Sequence, residues 1–244
     1  MRVILTIVIK KIIVCMTLIS ACYNLFAQET TDNKTRIVKN IDFSLYCGFS
    51  FTNFQGETSE FAKTVNNSTG LNLKEKLRSL LIPVGLSASL NATPWLSFKS
   101  GVLFAPKGMK FKDQIEIDWD EYGIEVILKL YYIEIPTLIE FSTITNRNTH
   151  FYINGGISPS YKVNSKIVTT VWIIDYTPSV EDEETEKKSW PDVNKFDLGY
   201  IIGGGIKDQD IYLGIQYEKG LKNISTAGWD FKNQTFTILM GVYF

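Results

Sequence analysis

The 244 residues carry 25 basic and 26 acidic side chains, a formal net charge of −1, and that balance supplies no electrostatic footprint for nucleic acid. Three cysteines and a single histidine spell no metal or redox motif, and no cofactor is implied. No linker, coiled coil or long amphipathic helix divides the chain, so it reads as one domain.

The chain opens with Arg2, Lys10 and Lys11, an apolar run from Ile12 to Ser20, and Leu25-Phe26-Ala27-Gln28. This has the shape of a secretory signal peptide over residues 1–27, too short in its apolar run for a spanning helix. Ile19-Ser20-Ala21-Cys22 also fits a lipoprotein box, which would leave Cys22 acylated. Removing the leader takes away Cys15, Cys22 and three cations, leaving Cys47 alone and 22 basic against 26 acidic residues, a net charge of about −4. A mature chain with one cysteine forms no internal disulfide. Residues 28–40 would be a periplasmic segment and 41–244 the folded domain.

From Ile41 onward the hydrophobic pattern has a period of two, the signature of strands with one apolar face. The first candidate, Ile41 to Asn53, sets Phe43, Leu45, Cys47, Phe49 and Phe51 against Asp42, Ser44, Tyr46 and Ser50. Leu81 to Asn91 and Trp95 to about Ala105 follow, joined by the turn Asn91-Ala92-Thr93-Pro94. Leu128 to Ser142 sets Tyr131, Ile133, Ile135, Ile139 and Phe141 against Tyr132, Glu134, Pro136 and Glu140; Pro136 would be awkward inside a soluble sheet. Phe151 to about Ile167, Phe196 to Ile206 (interrupted by Ile201) and Ile211 to Lys219 continue the series. The last strand, Thr235 to Phe244, aligns Phe236, Ile238, Met240, Val242 and Phe244 on one face. It has the length of a tilted bilayer-crossing strand, and its aromatic end, Phe244, matches a C-terminal assembly signal.

Connections alternate strictly between short (Asn91–Pro94, Thr143–His150, Lys207–Asp210) and long and polar. Short periplasmic turns, long external loops and an even strand number belong to membrane barrels. The expected fold is therefore all-β: an eight-stranded antiparallel transmembrane up-and-down β-barrel with short periplasmic turns and long extracellular loops. A soluble lipocalin-like barrel would not need that asymmetry.

Eight strands enclose a space that side chains just fill. Asp42, Lys99, Glu134, Glu140, Lys162, Asp197 and Glu218 fall on the polar face and are candidates for a lumen network, either a satisfied polar core or a narrow solute path. The four long loops are expected at about 54–80, 106–127, 177–195 and 220–232. The first holds Leu71 to Leu77, a candidate for a helical turn or two. Candidate loop contacts are Asp118 and Trp119 in the second, Glu181, Asp182, Glu183 and Glu184 in the charged run of the third, and Trp229 in the fourth, a contact residue or a loop anchor. Ile115, Ile117, Ile124 and Val126 suggest strands that continue past the membrane.

The sequence has no Gly-x-Ser-x-Gly elbow, no HExxH and no phosphate-cradling glycine loop, and His150 falls at a periplasmic turn, away from the outer rim where barrel hydrolases keep theirs. No enzyme is expected.

The stretch Leu130-Tyr131-Tyr132-Ile133-Glu134-Ile135-Pro136-Thr137-Leu138-Ile139 resembles the "YLEIPLLL" strand of the PorT-like outer-membrane β-barrel family of Bacteroidota. Phe151 to Gly156, Phe196 to Tyr200, Phe236 to Phe244 and the leader ending Phe26-Ala27-Gln28 stand in that family's order. Glu140 departs from it, standing near where members often have a basic residue. The resemblance implies the barrel fold and an outer-membrane location, with contacts to outer-membrane lipid and the barrel-assembly machinery; it brings no catalytic residues. Three functions stay open: a non-enzymatic barrel whose loops bind an envelope or external partner, a narrow pore for small solutes, and a soluble or lipidated ligand-binding barrel.

Overall fold

A computed structural model of the chain describes residues 41–58, 60, 63, 74–117, 120–143, 149–175, 181–208 and 210–244. The leader, the 28–40 segment, Leu71 to Leu73, Asp118 and Trp119 lie outside the described residues. Eleven strand segments follow one another: β1 (Ile41–Gly56), β2 (Lys74–Leu81), β3 (Val84–Thr93), β4 (Leu96–Ile117), β5 (Asp120–Glu134), β6 (Thr137–Ser142), β7 (Thr149–Asp175), β8 (Glu181–Ser189), β9 (Phe196–Asp208), β10 (Ile211–Gly220) and β11 (Phe231–Tyr243).

Pairing reduces them to eight staves. β2 and β3 share β1 and β4 as neighbours and are one stave interrupted at Ile82-Pro83; β5 and β6 both lie between β4 and β7, interrupted at Ile135-Pro136. β8 and β9 both pair with β7 and are separated by residues 190–195. Proline has no N–H to give a ladder, so Pro83 and Pro136 mark the breaks. Each break is bridged by a backbone hydrogen bond to a neighbouring strand: the Gly48 N–H donates to the Pro83 carbonyl (3.1 Å), and the Ile135 N–H donates to the Pro159 carbonyl (3.0 Å). All pairings are antiparallel, and β1 closes the ring on β11 from Ser44↔Tyr243 to Gly56↔Phe231.

The alternation of the sequence becomes an inside and an outside. Phe43, Leu86, Phe98, Ile139, Ile153, Ile202 and Ile211 face outward, and Ile153, Ile202 and Ile211 keep 60–65% of their surface exposed. Apolar exposure on that scale around a whole molecule is a lipid-facing belt. Among the described residues no helix is long and apolar enough to cross a membrane; the crossing is made by strands. Ile201, the break in the sixth pattern, points inward and is buried.

At the outer end β4 and β5 continue past the membrane, as Ile115, Ile117, Ile124 and Val126 suggest, while β7 and β8 go further than the sequence reading expects. β4, β5 and β7 run far beyond the about 9–11 residues that cross a bilayer. With β8 they form a sheet raised beyond the long-connection end of the barrel, paired from Ile117↔Asp120 and Asp120↔Asp175 to Ile174↔Glu181. The segments 74–80 and 181–189, expected as loop, are therefore strand, as are Lys74 to Leu77 of the expected helical turn, and 106–117, placed in the second loop, carries the strand continuation that Ile115 and Ile117 suggest. Local composition misleads here, because the charges sit on ladder positions whose partner strands supply the hydrogen bonds.

Candidate functional site

The lumen is built in layers. Its outer charged layer centres on Lys107, whose Nζ lies 2.6 Å from Glu134 Oε1 and 2.7 Å from Glu218 Oε1, all three side chains nearly or fully buried. Ser158 and Ser160 hydroxyls donate to Glu134 at 3.4 and 3.3 Å, and the Tyr132 ring faces the Lys107 amine at 5.4 Å. Asp197 joins this layer: it accepts Asn233 Nδ2 at 2.6 Å and the Leu198 N–H at 2.8 Å. Each carboxylate is paired or hydrogen-bonded, the condition for keeping charge away from water.

The inner layer holds Glu140, Lys207 and Lys99. Glu140 is ion-paired with Lys207, whose amine also lies over the Tyr152 and Tyr243 rings at 5.1 and 5.2 Å. Lys99 Nζ sits 4.5 Å from the Tyr212 ring centroid, with Tyr46 and Tyr243 at 5.7 and 5.6 Å, an aromatic enclosure that stabilises a cation through the ring quadrupoles. One lysine among three carboxylates in the outer layer faces two lysines and one carboxylate in the inner one, so the lumen is electrostatically polarised along its axis.

Room for those tyrosines comes from inward-facing glycines on adjacent strands. A Cβ on Gly85 would stand 2.8 Å from the Tyr46 ring, and one on Gly241 would stand 2.5 Å from the Tyr212 ring. Of the triple glycine 203–205, Gly205 belongs to the same packing, opposite Tyr152, where a Cβ would stand 2.9 Å from the Tyr152 hydroxyl.

Between the layers lie two water-sized cavities of about 20 Å³ each, sharing Leu103, Ile201, Gln216 and Leu239 as a wall. A space of that size holds about one water, and a wall of Leu103, Ile201 and Leu239 with the single polar Gln216 stands between the two charged layers. Above the outer layer the mouth is filled by side chains of Phe54, Met109, Phe111, Leu128, Leu130, Trp190, Val193, Ile224 and Phe231. Residues 190–195 fold over it: Ser165 Oγ donates to the Trp190 carbonyl (2.6 Å), Lys162 Nζ to the Val193 carbonyl (2.7 Å), and Asn194 Nδ2 to the Asn223 carbonyl (2.8 Å).

The structure thus distributes the seven lumen candidates over four places. Glu134, Asp197 and Glu218 meet in the outer layer; Lys99 and Glu140 lie in the inner one. Asp42 is at the exposed rim of the short-turn end, accepting Asn91 Nδ2 at 2.7 Å, and Lys162 is a strut of the mouth. Sequence reasoning missed Lys107 and Lys207, assigned to a loop and a turn. The signal was present: Lys107 continues the odd-numbered inward series Ser97, Lys99, Leu103, Ala105, and Lys207 continues Asp197, Ile201 and Gly205.

Among the loop candidates, Glu181 to Glu184 are in β8, with Glu184 exposed. Trp229 is half-buried and stacks on Phe231 at 6.4 Å and 8°, anchoring its loop to the plug. Phe244 stacks on Phe43 (6.4 Å, 19°), and the two residues exchange backbone hydrogen bonds. His150 Nδ1 shares a hydrogen bond with the Thr143 carbonyl at the rim of the short-turn end (2.9 Å). Among the described residues no three His, Cys, Asp or Glu side chains are grouped to hold a metal.

The family described as outer membrane protein beta-barrel domain matches residues 26–226, and the chain belongs to it. No curated protein matches. Similar solved structures include Ail, the attachment invasion locus protein of Yersinia pestis, at 12% identity, covering 85% of this chain and 100% of that one with a TM-score of 0.39. Neisserial surface protein A is 9% identical over 83% of this chain and 97% of that one, TM-score 0.39. OprG from Pseudomonas aeruginosa is 9% identical over 86% and 99%, TM-score 0.37.

Proposed function

On the premise that the chain is an outer-membrane β-barrel, we propose that it is a non-enzymatic docking protein whose work is done by its external sheet. The observation that carries this reading is the contrast between a lumen closed by its own side chains and four strands raised beyond the mouth. A closed lumen offers no solute path, whereas strands continued past the bilayer hold a rigid surface where an envelope or external partner can seat. The lumenal charges are engaged with one another, which gives them a structural task. The same reading has the chain exported behind a cleaved Met1–Ala27 leader and inserted by the barrel-assembly machinery through its Phe244 end. The PorT-like strand signature around Glu134-Ile135-Pro136 fits this placement.

The test is chemical crosslinking in intact cells followed by recovery of the tagged barrel from the outer membrane and mass spectrometry. A near-stoichiometric partner with crosslinks in 110–125 or 166–189 supports the reading. A barrel recovered alone that conducts small ions in planar bilayers moves the function into the lumen and sinks it.

A further inference from the structure

β8 is an edge strand of the raised sheet. It pairs with β7 from Lys166↔Ser189 to Ile174↔Glu181, and among the described residues no strand pairs with its other side. The register fixes which backbone groups stand open. The Trp190 N–H donates to the Ser165 carbonyl at 3.3 Å, and residues along an antiparallel pair point their N–H and C=O alternately toward the partner strand and away from it. Glu183, Thr185 and Lys187, at odd spacings from Trp190, therefore turn theirs away from β7. The Thr170 and Thr185 hydroxyls lie 3.3 Å apart, as side chains do at a pair that exchanges no backbone bonds. Glu184 to Ser189 are all exposed, so this edge lies open.

An open edge is a template for another strand, and its charge selects which one. Five of the first six residues of β8 are acidic, Thr185 being the exception; set against Lys187 and Lys188 they leave the strand a net charge of −3. Among the described residues its one ion pair joins Glu186 to Lys188 at 2.8 Å, both side chains more than half exposed, a pair that solvent screens and an incoming cation can replace. Acids at successive positions fall on both faces of a strand, so an added strand meets them in full only if it is basic at successive positions. The same row of charge keeps a second copy off. Two barrels in one membrane stand the same way up, so their β8 edges run alike, and parallel in-register pairing would set acid against acid. The edge is also held in place before anything binds, since the ladder ties β8 to β7 along its whole length and Trp190, just past its end, is buried in the plug. The ordering cost then falls on the partner alone.

We infer that the open edge of β8 takes up an extended, lysine- and arginine-rich segment of a partner protein as an added strand, its basic residues opposite Glu181 to Glu186. The inference rests on the docking reading and supplies the chemistry of the partner.

The test is binding of a fluorescent peptide to the full-length barrel in detergent, read by anisotropy. The probe is about ten residues long, the length of a strand, with lysines at successive positions. One comparison peptide has glutamate in their place; another keeps the lysines but is N-methylated at alternate backbone nitrogens, which preserves the charge and removes the donors of one edge. Wild type should bind the lysine peptide and neither of the others. Glu181→Gln, Asp182→Asn, Glu183→Gln, Glu184→Gln and Glu186→Gln together should weaken binding about 50-fold. Thr185→Pro removes an N–H on the open side and leaves the β7 ladder its donors, so it should weaken binding about tenfold, whereas Thr185→Val should not. Equal binding of the N-methylated peptide would reduce the contact to charge attraction and overturn strand addition; equal binding of the glutamate peptide would overturn the charge match. Both are read on wild type and hold even if a variant fails to fold. Dimerisation of the barrel alone, lost in Thr185→Pro, would give the edge to a second copy and overturn the inference too. Failure to bind the lysine peptide, with crosslinks in cells still gathering at 166–189, would sink it and leave the docking reading standing. The absence of any crosslinked partner in cells would instead remove the docking reading itself, and the inference with it.

Discussion

Lys107 Nζ lies 2.6 Å from Glu134 Oε1 across the β4–β5 pair, both side chains sealed from solvent, and reaches Glu218 on β10 across the lumen. That amine sits between two carboxylates that are shielded from bulk solvent. Replacing Lys107 by Met should therefore destabilise the barrel by about 3–5 kcal/mol, the cost of an uncompensated buried charge. Adding Glu134→Leu and Glu218→Gln should recover much of it. Urea unfolding in lipid vesicles, followed by tryptophan fluorescence, measures both.

Tyr152 lies over Gly214 so closely that a Cβ there would stand 2.1 Å from the hydroxyl oxygen and 3.3 Å from Cζ. Gly214→Ala is expected to cost about 1–3 kcal/mol through overpacking. Tyr152→Phe in that background removes the nearer contact and should restore part of the loss, a coupling read from a double-mutant cycle.

The mouth segment 190–195 is tied down by Lys162 through the Val193 carbonyl. Lys162→Met should raise amide hydrogen exchange in 190–195 while shifting global stability by only about 1 kcal/mol, because the opened unit is local. Trp190→Ala, which empties part of the plug against Phe54, should instead cost about 3–5 kcal/mol. Exchange and unfolding measured on the two variants separate strut from core.

Phe244 and Phe43 stack where the ring closes. Phe244→Ala should lower folded stability by about 0.5–1.5 kcal/mol, yet reduce outer-membrane abundance more than that loss explains. Membrane fractionation with heat-modifiable gel mobility checks it; abundance falling only in step with stability would remove the assembly role.

The sequence by itself determined which face of each strand meets lipid, because a period of two is a local property and membrane contact selects the apolar set. It determined the order of short and long connections and hence the two ends of the barrel. It showed Glu134, Asp197 and Glu218 on the polar faces, but could say nothing of which charges meet: Lys107 and Glu218 are 111 positions apart, and ring closure alone makes them neighbours. The charged stretch Glu181–Ser189 looked like solvated loop because nothing in it is apolar. It is strand because β7 runs past the bilayer and offers it a ladder. The plugged mouth likewise belongs to the tertiary structure, since Phe54, Trp190, Ile224 and Phe231 come from distant elements whose apolar surfaces find one another only once the staves close.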